Sequence, residues 1–142
     1  MLTWNQLHET LGRASRRHEQ LQSLFKQFGQ QVVGHDAESY FRIKGIRAEF
    51  DAHAGVLTVN FASRTLVFVF SAVQGESGAL TGKVNVYLMR KIPVQAFESI
   101  GEFSFDGNGQ SSLTDPSDND QLHIEGAAPY IALHFLNESL VK

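Results

Sequence analysis

The feature that most constrains this chain is a line of apolar residues, spaced alternately three and four positions apart, near its start. Such spacing places every member on one face of an α-helix and repeats every seven residues, as in a coiled-coil seam. Thr3 and Gln6 are placed to form a capping box at the start of this helix. The pattern therefore predicts a helix over about residues 4–31. The stripe contains Trp4, Leu7, Leu11, Ala14, Leu21, Phe25, Phe28 and Val32, with His18 in the remaining slot.

The apolar stripe has two interpretations, which the sequence leaves open. It packs on a sheet of the same chain, or part of it meets a second copy in a dimer. Leu24 widens the stripe beside Phe25, which favours packing on a sheet. Arg13 and Arg17 are candidates for partner contacts along the helix. His18 would make association pH-sensitive if it lay in a dimer seam, although a partly exposed position on the helix flank is the simpler interpretation.

After Ser39 the apolar period changes to two, which predicts antiparallel β-strands. A change of phase at Gly45 predicts a β-bulge in the first strand. The continuous apolar run from Leu66 to Phe70 is typical of a central strand that is buried on both faces. Pro129 is suited to the first turn of a closing helix over about residues 129–141. The predicted strands cover about residues 39–51, 55–61, 64–73, 81–91, 99–106 and 120–125.

Together these elements predict one α+β domain over residues 1–142. A long N-terminal helix packs on a curved antiparallel meander of about five to six strands, and a short C-terminal helix closes the fold. With 42% hydrophobic and 19% charged residues, the 142-residue chain has an ordinary globular composition. The start lacks a signal-peptide pattern, and the longest apolar run is too short to cross a bilayer. A cytoplasmic protein of bacterial type, without membrane contact, is the expectation.

The sequence carries no recognisable catalytic or metal-binding motif. Cysteine is absent, which excludes disulfides, Cys-ligated metals and thiol nucleophiles within this sequence. The six histidines form neither HxxxH nor HExxH. The segment from Asp106 to Gln110 resembles the opening of a calcium loop, but Ser111 and Ser117 replace the required Gly and Glu, so a turn is favoured. We therefore predict no catalytic residue, no cofactor and no metal, and the sequence favours a non-enzymatic role.

One predicted face of the sheet, opposite the long helix, carries an unusual apolar patch among charged positions. An exposed patch of this kind marks a contact with a partner or a ligand. The alternative is that the sheet curls around the patch or that the closing helix covers it. The patch contains Val67, Val69, Val73, Tyr87 and Met89.

A ligand pocket is the alternative interpretation of the polar residues near the sheet. His123 and Glu125 are two positions apart, which puts both side chains on one face of a predicted strand. With His53 they are candidate polar groups of a Phe-lined pocket between sheet and helix, which would bind a small molecule or serve an unrecognised enzyme. Nucleic acid is disfavoured as a partner, because the net charge is −3 and no RNA-binding signature is present.

The charge is divided unevenly along the chain. Residues 1–91 contain eleven Lys/Arg and seven Asp/Glu, a balance of +4, whereas residues 92–142 contain one Lys and eight Asp/Glu, a balance of −7. Packing of the two halves against each other explains this asymmetry most simply. The sequence as a whole predicts a small accessory protein that acts by protein–protein binding, adaptor or chaperone-like, as a homodimer.

Overall fold

The computed structural model describes residues 1–34, 43–75, 78–90 and 93–141. Within these residues the protein forms a long N-terminal helix, seven β-strands and a C-terminal helix. In chain order these are α1 (Trp4–Gly34), β1 (Arg47–Asp51), β2 (Val56–Phe61), β3 (Arg64–Gln74), β4 (Leu80–Arg90), β5 (Ala96–Phe105), β6 (Gln110–Thr114), β7 (Gln121–His123) and α2 (Ala128–Ser139). Each strand pairs antiparallel with the next, in the order β1 to β7. The α+β meander with a helix at each end is therefore confirmed.

The strand count is higher than predicted, because β6 forms a seventh strand. Its sequence, QSSLT, has weak alternation, since a serine occupies an inward position. Ser111 is nevertheless buried, and its hydroxyl oxygen accepts a hydrogen bond from the Leu113 N–H at 3.1 Å. The hydroxyl is satisfied inside its own strand, so a polar residue occupies a position where the sequence pattern requires an apolar one.

The start of the first strand also differs from the prediction. Of the predicted strand 39–51, residues 39–42 lie outside the described residues. Lys44 and Gly45 form a turn, with φ of +89° at Gly45, and pairing begins only at Arg47. The prediction of a bulge at Gly45 is thus wrong, because the glycine uses its access to positive φ to turn the chain. A bulge lies instead at Ile100, where the partners of Val86 and Tyr87 on β5 are Gly101 and Ser99.

Helix α1 begins with the predicted capping box. The Thr3 N–H donates to Gln6 Oε1 at 2.9 Å, and the Gln6 N–H donates to Thr3 Oγ1 at 3.2 Å. Towards its other end the helix comes close to the sheet at Gly29, where an added Cβ would overlap the ring of Phe50. That close approach requires glycine at this position.

Both helices lie on the same face of the sheet, and phenylalanine rings fill the space between the layers. The ring centroids of Phe28 and Phe68 are 6.0 Å apart, and those of Phe68 and Phe135 are 5.9 Å apart. Phe103 closes the circuit at 6.0 Å from Phe28 and 5.7 Å from Phe135. Four rings thus join α1, β3, β5 and α2 into one core, and α2 does not cover the opposite face of the sheet.

Candidate functional site

The N-terminal half of α1 is an exposed apolar surface. We call residues 4–17 the helix arm. The relative exposures of Trp4, Leu7 and Leu11 are 77%, 40% and 66%, whereas Leu21 and Phe25, further along the same stripe, are at 0% and 1%. One continuous stripe is therefore buried on the sheet at its end and open to solvent at its beginning.

The boundary between the arm and the buried half is set by two side chains that reach the hairpin tips of the sheet. Arg17 Nε donates to the Leu80 carbonyl at 3.1 Å, and Gln20 Nε2 donates to the Gly107 carbonyl at 2.8 Å. The guanidinium also lies against Gly107, where an added Cβ would overlap it. The predicted contact residue Arg17 is thus an anchor of the helix, whereas Arg13 is exposed and pairs with Glu9 at 3.0 Å.

His18 occupies the stripe position at this same boundary. It is exposed, and its ring lies 6.0 Å from the ring of Phe70. His18 therefore lies where the helix reaches the sheet. It follows the last residue of the helix arm and precedes the buried part of the stripe.

A second apolar surface lies on the face of the sheet opposite the helices, where alternation predicted it. Val67 pairs with Tyr87 across β3 and β4, and Met89 pairs with Phe97 across β4 and β5. The rings of Tyr87 and Phe97 meet edge to face at 6.4 Å. Most of its members are half-buried, but Val73 is 38% and Phe97 is 55% exposed. We call this surface the sheet strip, which comprises Val67, Val69, Val73, Tyr87, Met89 and Phe97.

The three candidate pocket residues are not brought together. His53 lies in the β1–β2 turn, at one edge of the sheet, whereas His123 ends β7 at the other edge. Glu125 lies beyond the end of β7, in the turn that leads to α2, so it does not share a strand face with His123. These placements form no convergent polar site of the kind that a ligand pocket requires.

The ring of His123 ties two turns together. With its proton on Nε2 it donates to the Asn108 carbonyl at 2.9 Å, and Nδ1 accepts the Glu125 N–H at 3.2 Å. The neighbouring turn is closed by Asp106, whose Oδ1 accepts N–H bonds from Asn108 at 2.9 Å and Gln110 at 3.1 Å. The segment from Asp106 to Gln110 thus forms the predicted turn. The ring of His123 connects this turn to the residues that lead into α2.

Replacement of His123 by alanine is expected to lower the free energy of unfolding by about 1–3 kcal/mol, because it removes two hydrogen bonds, to the Asn108 carbonyl and from the Glu125 N–H, that each contribute about 0.5–1.5 kcal/mol. Chemical denaturation followed by circular dichroism measures the change. His53→Ala is the matched control, since that residue is exposed in a turn, and we expect a change within about 0.5 kcal/mol. Equal effects of the two substitutions would contradict the structural role of His123.

The loop between β6 and β7 is acidic. The Ser117 hydroxyl donates to Asp115 Oδ1 at 2.6 Å and the Ser117 N–H donates to the same atom at 2.9 Å, and these bonds lower the pKa of the Asp115 carboxyl below its usual value. Asp118 caps the same loop by accepting the Asp120 N–H at 2.9 Å. The carboxylates therefore shape the loop. No group of three or more His, Asp or Glu within the described residues is arranged to hold a metal ion.

The sequence predicts that part of the stripe could meet a second copy, but the pattern does not distinguish the exposed Trp4, Leu7 and Leu11 from the buried members. The length of the predicted helix is the sequence feature that indicates an exposed end. At 1.5 Å per residue a 31-residue helix is about 46 Å long, whereas the 11-residue strands β3 and β4 span about 36 Å. This difference in length favours an exposed end of the helix but does not require one, because a helix can also cross the strands diagonally. Phe97 was missed because residues 94–98 were not assigned to a strand.

Comparison with known proteins gives no relative from which a role can be carried over. No protein-family model, no curated protein and no solved structure matches the chain. Neither helix in the described ranges is both long and apolar enough to span a membrane. The chemistry of the helix arm and of the sheet strip is what bears on function.

Proposed function

We propose that this protein acts by binding proteins and that it forms a homodimer through the helix arm. The observation that carries the proposal is the exposure of Trp4, Leu7 and Leu11 on a stripe whose other half is buried. Full burial of a leucine side chain stabilises by about 1.5–3 kcal/mol relative to exposure, so several such residues in one line favour association. Their seven-residue repeat matches the seam that a second helix would fill.

The helix arm is also ready to bind without further ordering. Isolated helices of about 14 residues are marginal in water, because nucleation is costly. Here the nucleus already exists, since residues 21–32 of the same helix are fixed in the core. The conformational entropy of the arm is therefore already lost when the chain folds, so dimerisation does not have to order the arm again. More of the free energy from burying apolar surface then contributes to association.

The stripe of the arm carries no formal charge between Trp4 and Ala14. Glu9 and Arg13 form an exposed ion pair of 3.0 Å off the stripe. A partner helix on the four stripe residues would therefore desolvate apolar side chains, which avoids the cost of burying an unpaired charge within the seam itself.

Analytical ultracentrifugation over a range of concentrations tests the dimer, with the double variant Leu7→Glu/Leu11→Glu. We expect the native chain to dimerise and the variant to associate at least about 100-fold more weakly, since each tenfold corresponds to about 1.4 kcal/mol. Asn5→Glu adds a charge on the opposite side of the same helix and is expected to leave the dimer intact. All three chains should fold equally well, because the substituted side chains are exposed.

A native chain that stays strictly monomeric at tens of micromolar would refute self-association. Equal weakening by Asn5→Glu would show that charge alone, rather than the apolar stripe, controls it.

The sheet strip is the second surface that supports a protein-binding role. Its half-buried apolar members lie beside an exposed ion pair between Lys83 and Glu102, at 3.0 Å, so an apolar centre has a charged rim. That composition is typical of protein interfaces. The alternative of a Phe-lined pocket has less support, because the core rings of Phe28, Phe68, Phe103 and Phe135 contact one another. Of these four residues, only Phe103 lines any of the four surface clefts of about 180–700 Å³ found on the described residues.

A further inference from the structure

We propose that the two helix arms pair antiparallel in one register, with Trp4 of each copy against Ala14 of the other and Leu7 against Leu11. This inference rests on the proposed self-association and specifies its geometry. It draws on where the sheet begins along α1, on the sizes of the stripe residues, and on a cleft beside Ala14.

The position of the sheet excludes a parallel pair. From Leu21 onward the stripe faces the sheet and is buried, and Arg17 already contacts the hairpin tips. A parallel partner helix, lying on the same stripe, would continue from the arm into the volume that the sheet fills. An antiparallel partner runs the other way, so its own sheet lies beyond the start of the first helix.

The helix start limits how far the arms overlap. The capping box fixes the first helical residue at Trp4, and in the proposed register this residue lies opposite Ala14, just short of Arg17. The partner helix therefore ends where the sheet begins. A shift of one heptad towards the sheet would place Trp4 opposite Leu21, which is already fully buried in the core.

The sizes of the side chains favour the same register. It stacks four layers, Trp–Ala, Leu–Leu, Leu–Leu and Ala–Trp, so the largest residue always meets the smallest and the layers stay even in volume. A shift of one heptad away from the sheet would pair only Trp4 with Leu7 and would leave Leu11 and Ala14 in water. The proposed register is the one that uses every stripe residue of the arm.

A cleft beside Ala14 provides room for the indole of the second copy. Its volume is about 640 Å³, and it lies between the arm and the β3–β4 hairpin. Ala14 contributes a small side chain and Leu80 an apolar wall, and Arg13 and Arg17 also line the cleft. The guanidinium of Arg17 can lie over an aromatic face. An indole on this site would bury against the body of the partner as well as against its helix.

Cysteine cross-linking tests the register directly, because the native chain contains no cysteine. Leu7→Cys and Leu11→Cys chains, one carrying a size tag, are mixed and mildly oxidised. We expect the mixed dimer to cross-link at least about tenfold faster than either variant with itself, since a disulfide requires Cα atoms within about 7 Å. Glu9→Cys, on the outer face of the arm, is the matched control and is expected to cross-link slowly.

The fluorescence of Trp4, the single tryptophan of the chain, gives an independent readout. We expect its emission to shift to longer wavelength when the native dimer is diluted, and to be long-wavelength at all concentrations in Leu7→Glu/Leu11→Glu. His18→Leu is expected to leave the dimer affinity unchanged within about twofold, since this register ends before His18.

The outcomes separate this inference from the proposed function. Rapid cross-linking of Leu7→Cys with itself would indicate a parallel pair and would overturn the register while leaving the dimer. Unchanged Trp4 emission on dissociation, or stronger association of His18→Leu, would also overturn it. A native chain that never associates would remove the proposed function itself.

Discussion

Replacement of Phe68 by alanine is expected to lower the free energy of unfolding by about 3–5 kcal/mol, the usual range for removal of a buried phenylalanine ring. Phe68 is at 0% exposure on β3, and its ring contacts Phe28 of α1 and Phe135 of α2 at centroid distances of 6.0 and 5.9 Å. The substitution removes the ring that joins both helices to the sheet. The surrounding rings cannot collapse fully into the cavity, because the backbone of the sheet holds them apart.

Urea denaturation measures this effect, in the Leu7→Glu/Leu11→Glu background so that stability does not depend on concentration. Phe97→Ala is the matched control, with the same change on the opposite face of the same sheet. Its ring is 55% exposed, so we expect a loss of no more than about 1 kcal/mol. Similar losses for both variants would contradict the assignment of the core to the helix-bearing face and the exposure of the sheet strip.

Much of the fold could be predicted because hydrophobic period and local capping agree. The heptad stripe and the Thr3–Gln6 box define α1, which is predicted over about residues 4–31 and is described over Trp4–Gly34. Alternation along β3 and β4 places Leu66 and Phe68 towards the helices and Val67 towards the other face. Each of these features depends on residues close together in sequence.

Other features depend on contacts between distant residues, and the sequence does not encode them locally. Leu7 and Leu21 occupy equivalent positions of the seven-residue repeat, yet Leu7 is 40% exposed and Leu21 is fully buried, because the core packs on α1 only from Leu21 onward. The strand β6 has only a weak sequence signal, because Ser111 occupies an inward position and its hydroxyl is satisfied by a hydrogen bond that the pattern does not reveal.

The residues of the candidate site also divide into those whose positions follow from the local sequence pattern and those whose roles depend on distant contacts. Alternation predicted that Val67 and Tyr87 share a face, and they are paired neighbours. Arg17 and His123 were interpreted as contact or pocket residues, but each bonds to a backbone carbonyl far away in sequence, those of Leu80 and Asn108. A residue type alone does not distinguish an anchor from a ligand contact, because the acceptor is a main-chain group that every residue carries.

Gly82→Ala is expected to destabilise the protein by about 1–3 kcal/mol, although the change adds only one methyl group. Gly82 lies within β4 and is buried under the ring of Phe105, which an added Cβ would overlap. The ring has little freedom to move, since Phe105 is 2% exposed and contacts Phe70 at a centroid distance of 6.0 Å. This steric loss outweighs the gain of about 0.4–1 kcal/mol that Gly→Ala usually brings by restricting the unfolded chain.

Gly126→Ala provides the matched control, because an added Cβ there meets no atom within 4 Å and the backbone is not in the left-handed region. We expect that variant to be neutral or slightly stabilised, so the same substitution should have opposite signs at the two sites. Phe105→Leu removes the ring that Gly82→Ala would strike, and the double variant should therefore lose less than the two single losses added together. If the losses in the free energy of unfolding from Gly82→Ala and Phe105→Leu, measured by thermal and urea denaturation, were strictly additive, the clash between the added methyl group and the Phe105 ring would be ruled out. The ring would then be able to adopt another position in the core.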